Sequence, residues 1–304
     1  MINTRPIVLL FLTSLIAVTV NAQRDPLYAQ YANNPFVLNP AYAGLSNNLN
    51  VALSYRNQWN GLEGSPKTIN VNGRMPLIYD KMGAGVMVVS DRMGASTVTE
   101  ALAIYSYQIH MTSTTVLSFG LQAGVANFHI DNSKVSPYDN TDPLFQGTYN
   151  EAKPGLGFGA VLKGDRFLVG VSVPRMLKSG FSAQGAQYSL YTQHYYLSGS
   201  YDFSLTEHLR FKPSTLLKWV KGAPLSMDLN ASLLIKNNYQ VGLLTRNFST
   251  FGLLTQALIK DMFVVGYVFE LPTGPAADVN FSTHEIMMGL RLSVLKFHER
   301  SVGL

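Results

Sequence analysis

From residue 49 onward the chain alternates apolar and polar residues with a period of two, segment after segment. An extended strand throws successive side chains to opposite faces, so this pattern describes strands with one apolar face. In TTVLSFGLQAGVANF, Leu117, Phe119, Leu121, Ala123 and Val125 share one face, against Ser118, Gly120, Gln122 and Gly124. In PLSMDLNASLLIK, Leu225, Met227, Leu229, Ala231 and Leu233 oppose Ser226, Asp228, Asn230 and Ser232. RFKPSTLLKWV sets Phe211, Pro213, Thr215, Leu217 and Trp219 against Arg210, Lys212, Ser214 and Lys218, with Leu216 the one exception. No stripe of helical period competes in these stretches.

Fourteen such segments are expected, at about 49–57, 69–77, 83–91, 97–109, 114–128, 154–163, 166–174, 192–204, 208–220, 224–236, 239–247, 251–260, 262–271 and 284–298. Many reach ten residues, which suits a tilted membrane-crossing strand of about 9–11 residues better than a soluble strand of about five or six. Charged residues make up 13% of the chain, roughly half the ~25% of a soluble domain. A soluble β-sandwich would also alternate, but its outer face would carry more charge. After residue 22 no apolar run is long enough for a spanning helix. A closed barrel is the remaining membrane structure that pairs every backbone group internally. The expected fold is all-β: a transmembrane antiparallel β-barrel of about 14 strands, residues 49–304, behind a short non-strand N-terminal segment, residues 23–48. An even count places both barrel ends on the periplasmic side.

Residues 1–22 have the three parts of a secretory signal peptide. Arg5 supplies the charge, residues 7–20 the apolar run, and Val20-Asn21-Ala22 the short residues before a cut at Gln23. Of the 25 glycines, Gly120, Gly124, Gly157, Gly159, Gly170, Gly242, Gly266 and Gly289 recur within strands, where they leave room for curvature and neighbouring side chains. Tight turns are expected at Gly164-Asp165, Lys221-Gly222-Ala223 and Asn237-Asn238, since Gly and Asn tolerate positive φ.

Chemistry is sparse. The six histidines are scattered and cysteine is absent, so neither a metal site nor a nucleophile is expected. GFGAVLKGD (157–165) lacks the following helix that a phosphate loop requires. The formal charge of +5 is dispersed, without the basic stripe of a nucleic-acid binder. Two long polar connectors, 129–153 and 175–191, belong on the extracellular side of such a barrel. Their aromatics Tyr138, Phe145, Tyr149 and Phe181 are the candidates for partner contact, because aromatic residues are enriched at interfaces.

The segment RDPLYAQYANNPFVLNPAYAGL (24–45) does not alternate and carries three prolines and four aromatics. Its aromatics require burial, which points to packing inside the barrel or at its periplasmic mouth. Asn39-Pro40 and Tyr42-x-Gly44 are turn signals leading into strand one, and Arg56 and Trp59 lie at that strand's end, with Trp59 suited to an interfacial belt. The run DPLYAQYANNPFVLNPAYAGL, followed by SYRNQWNGLEGSPKTINVNGRMPL (54–77) and STHEIMMGLRL (282–292), resembles the PorP/SprF family of Bacteroidetes. The resemblance implies a non-enzymatic outer-membrane component of type IX protein secretion or of the gliding machinery that uses it. No cofactor is expected from the residues. The implied partners are other secretion components and cargo proteins with C-terminal targeting domains, gliding adhesins among them. The competing expectation is a passive outer-membrane porin or transporter.

Overall fold

The computed structural model describes residues 28–78, 81–132, 148–177, 179–183, 186–273 and 281–293. The signal-peptide reading of residues 1–22 lies outside them. The strands are β1 (Asn48–Asn57), β2 (Lys67–Ile78), β3 (Met82–Met93), β4 (Ser96–His110), β5 (Val116–Asp131), β6 (Thr148–Lys163), β7 (Phe167–Val173), β8 (Ser179–Ala183), β9 (Ala186–Tyr191), β10 (His194–Tyr201), β11 (Phe203–Ser204), β12 (Leu209–Val220), β13 (Ser226–Ile235), β14 (Tyr239–Arg246), β15 (Thr250–Ile259), β16 (Phe263–Pro272) and β17 (Thr283–Ser293). Apart from the hairpin β8–β9, they form one antiparallel meander. β1 pairs along its whole length with β17, which closes the ring, so the structure is a 14-stranded barrel.

Each expected segment contains a wall strand, and residues 294–298 of the last one lie outside the described residues. The segment read as 192–204 is broken at Asp202 into β10 and β11. Pairing of β10 with β12 stops at Ser200↔Ser214, and β11 resumes it at Phe203↔Phe211. Pro213 lies in the gap and has no N–H to give the ladder.

The alternation sorts as expected. Leu121 is 59% exposed and Phe119 37%, both on the outer face, whereas Ser118, Gln122 and Asn230 are buried inside. Exposed apolar residues cover the wall all round, as a lipid-facing surface requires. Rings cluster near both rims. Tyr195 and Trp219 meet at 4.9 Å at one rim, and Tyr201 and Phe203 at 4.5 Å toward the other.

One end, the turn end, carries short connections; the other, the loop end, carries the long ones. Outer-membrane barrels keep short turns in the periplasm, which orients the protein. Two turn readings shift. Between β13 and β14 the positive φ angles fall on Lys236 and Asn237 rather than Asn237 and Asn238, because Ile235 pairs with Tyr239. Gly164 has no positive φ; the connection Gly164–Arg166 closes with the Gly164 N–H donating to the Phe167 carbonyl. The connector read as 129–153 is shorter, since pairing of β5 and β6 continues to Asp131↔Thr148. The connector read as 175–191 contains the β8–β9 hairpin.

Candidate functional site

The N-terminal segment occupies the lumen. Tyr28, Ala29, Gln30, Tyr31, Phe36, Val37, Leu38, Asn39, Ala41, Tyr42 and Ala43 are all buried. Three short 3-10 turns, Gln30–Ala32, Pro35–Val37 and Pro40–Tyr42, fold it compactly. Proline opens the second and third turns, where its fixed φ suits a helical start and no N–H is needed. Asn39 caps the third turn, its Oδ1 accepting from the Ala41 N–H at 2.9 Å. Its Nδ2 reaches the wall, donating to the carbonyls of Ala160 at 3.2 Å and Val171 at 3.1 Å. Ser118 and Ser172 return the contact, each donating Oγ–H to a plug carbonyl (Ala41 and Leu38) at 2.7 Å.

The wall is shaped for this plug. A Cβ on Gly120 would stand 2.2 Å from the Ala41 nitrogen, and one on Gly83 would stand 2.2 Å from Gly44 Cα. Backbone thus packs on backbone, and these glycines answer the plug rather than wall curvature alone. Gly157 and Gly159 of the GFGAVLKGD string lie on the same inward face of β6. Inward-facing Met87, Val89, Leu102, Ile104, Val161, Tyr196 and Leu216 form one apolar cluster with the plug. Leu216, the exception to the strand pattern, is therefore a plug contact.

The plug runs from the loop half of the lumen to the turn end. Tyr28 lies beside Asn70, Glu100 and Arg175, while at the other extreme Lys163, the last residue of β6, donates to the Leu45 carbonyl at 3.2 Å. Burial raises the phenols of Tyr28, Tyr31 and Tyr42 above the ordinary tyrosine value, so all three stay neutral.

A buried ion chain fastens the upper plug. Arg246 grips Asp228 through bonds of 2.8–3.1 Å and approaches Glu270 at 3.7 Å. Arg56 pairs with Glu270 at 2.5 Å and with Glu285 at 3.1 Å. Glu285 then accepts the plug N–H groups of Ala29 at 2.7 Å and Gln30 at 3.4 Å. Arg56, Glu270 and Glu285 are 3%, 1% and 1% exposed. Beyond the loop end of the plug, Arg175 makes a two-bond pair with Glu100.

The motif residues thus separate by place. Asn39, Pro40, Tyr42 and Gly44 are plug residues, and Arg56 is the wall residue at the centre of the ion chain. Trp59 stands outside the chain at the loop end, 41% exposed, with its backbone N–H donating to Thr283 at 3.2 Å. Of the partner candidates, Tyr138 and Phe145 lie outside the described residues. Phe181 is in β8, paired by backbone with Tyr188. Tyr149 is a strand residue opposite Ile130, on the inward parity of β6. The expectation did not include Asp228, Arg246 and Glu270, although Asp228 stood in the polar set of its strand. Among the described residues no three His, Asp or Glu side chains are grouped to hold a metal ion.

A family model for the type IX secretion system membrane protein PorP/SprF matches residues 20–290. The chain belongs to the PorP/SprF family. As a member it is an outer-membrane protein of type IX secretion. No curated protein matches the chain. Solved structures share the barrel. The CymD monoaromatic hydrocarbon channel is 11% identical, with 89% of this chain and 94% of that chain covered and a TM-score of 0.50. Omp33 of Acinetobacter baumannii is 11% identical (81% and 97% covered, TM-score 0.44), and a Pseudomonas aeruginosa FadL homologue 10% identical (81% and 89%, TM-score 0.44). At such identities the likeness concerns the fold.

Proposed function

We propose that this PorP/SprF protein serves type IX secretion as a non-enzymatic docking barrel, holding partner or cargo proteins at the outer membrane, with gliding adhesins among the cargoes. The observation that carries the reading is the filled lumen: residues 28–45 occupy it through hydrogen bonds, an ion chain and an apolar cluster. A barrel whose interior is bonded to its own chain is poorly suited to passive transport and well suited to presenting a rigid surface. Among the described residues, one cavity between plug and wall is about 60 Å³ and another, beside Tyr28, about 10 Å³, room for a few waters. Loops on a rigid scaffold are where binding usually resides. The connectors read as 129–153 and 175–191 are the candidate contact regions, with Tyr138, Phe145, Tyr149 and Phe181 as candidate anchors, and residues 24–45 are the periplasmic alternative.

The test is genetic. Deletion of the gene is expected to abolish surface display of a specific cargo bearing a C-terminal targeting domain. Removing residues 133–147, or 175–191, while the barrel still inserts, identifies the loop that matters. Normal display of every surface protein in the deletion strain refutes the reading. Steady single-channel conductance of the purified wild-type barrel in a planar bilayer favours the porin instead.

A further inference from the structure

The lumen is electrically uneven. In the loop half, Arg56, Arg175 and Arg246 each hold a carboxylate. In the turn half, five cations face inward from four strands: Arg74, Lys163, Arg210, Lys212 and Arg291. Among the described residues none of these five makes an ion pair. Arg74 stacks on Phe36 at 5.3 Å and donates to Asn34 at 3.3 Å, and Lys163 holds a plug carbonyl, so both serve the plug while keeping their charge. The one inward acid near them is Asp202, which acts on Lys212. Five cations against one acid leave an excess of four positive charges at the periplasmic mouth.

Beside Lys212 lies the 60 Å³ cavity, between the plug and strands β7, β10 and β12. Its lining includes Tyr31, Ser198, Ser200, Lys212 and Ser214. The Tyr31 hydroxyl is turned to the ion chain of Asp228, Arg246 and Glu270, whereas the Ser214 hydroxyl is buried and has no hydrogen-bond partner. Buried polar groups are ordinarily satisfied, so the unpaired Ser214 hydroxyl, the next inward position after Lys212 on β12, describes a place for an acceptor beside an ammonium. A carboxylate fits the volume and the donor set.

We propose that the turn-end mouth is a receptor for an acidic peptide segment of a periplasmic partner, one carboxylate of which enters the cavity at Lys212 and Ser214. The cations sit on strands spread around the mouth, which demands an extended ligand rather than a single small anion. They point into the lumen, away from lipid headgroups outside the wall. The exposed turn tips carry four cations and three acids among the described residues, so the excess belongs to the mouth and not to the membrane-facing rim. Low-dielectric walls lined by one sign of charge focus the field on an incoming segment. This inference rests on the docking reading and names a periplasmic contact for it.

The experiment uses the folded protein in neutral-lipid nanodiscs and a fluorescent decapeptide of glutamate and glycine. Binding is expected by anisotropy, weakening as salt rises. The R210Q/K212Q double variant should weaken it at least about tenfold, as loss of charge-assisted bonds to one carboxylate implies. K236Q/K260Q at the turn tips should leave it unchanged, and R210K/K212R should retain it. Heat-modifiable gel mobility confirms that each variant is folded. Absence of binding overturns the proposal, as does equal binding by R210Q/K212Q. Full competition by phosphatidylglycerol vesicles also overturns it, in favour of a lipid site. In cells, normal cargo display by R210Q/K212Q in a background where gene deletion abolishes display would sink this inference and leave the docking reading standing.

Discussion

Replacing Arg56 with methionine probes the plug most sharply. Three carboxylates (Asp228, Glu270, Glu285) and two guanidiniums (Arg56, Arg246) make the buried chain, a net charge of −1. R56M takes it to −2. Glu270 keeps a contact with Arg246 at 3.7 Å, but Glu285 is left with two plug N–H groups alone. Methionine matches much of the lost volume, so the loss is mainly electrostatic. Breaking a buried pair by removing one partner costs about 3–5 kcal/mol. The surrounding wall is a closed ladder that does not depend on this pair, so the strain is relieved by expelling the upper plug and admitting water. At about 1.4 kcal/mol per tenfold, the plug-out population rises by a factor on the order of 10² to 10³·⁵. The assays are planar-bilayer conductance and protease cleavage within residues 28–45, with gel mobility as the folding control. R56M should show open events and cleavage that the native protein lacks. The double variant R56M/E285Q restores a net charge of −1 and should recover part of the closure, a coupling readable as a double-mutant cycle. If R56M conducts no more than the parent and resists protease equally, the ion chain does not hold the plug and the reasoning fails.

Phe119→Arg puts a charge on the lipid face and should lower barrel stability by about 2–4 kcal/mol if the site lies near the midplane, measured by urea unfolding in detergent; unchanged stability refutes the assignment of that face. Gly120→Val drives a side chain into the Pro40–Ala41 backbone; we expect a closed barrel with a protease-sensitive plug, and a protected plug counts against the close-packing argument. Deleting residues 28–45 should convert the protein into a conducting pore, and a silent bilayer trace shows that something else seals the lumen. Elemental analysis after dialysis should find no stoichiometric zinc, and finding it would reopen the non-enzymatic reading.

The wall was legible from residue types alone. A period of two repeated over long segments, with few charges and no spanning helix, leaves a closed barrel as the structure that satisfies the backbone in lipid, and it also tells which face of each strand meets lipid. The motifs placed the protein in its family before any fold was in view. Tight-turn positions were legible only to within a residue, because register depends on the pairing of both strands. What the plug touches was not legible. Leu216 breaks the alternation of its strand for a reason found on Tyr42's side of the lumen, and Gly120 is small because Ala41 passes close by. Arg56 and Glu285 lie in separate motifs, 229 residues apart, and nothing local predicts that they meet. Closure of β1 on β17 brings them together, and with Arg246 and Glu270 they form the chain that holds the plug. Local periodicity dictates a strand and its faces; which inward charges become neighbours is decided only when the ring closes, since strands far apart in sequence then share one interior.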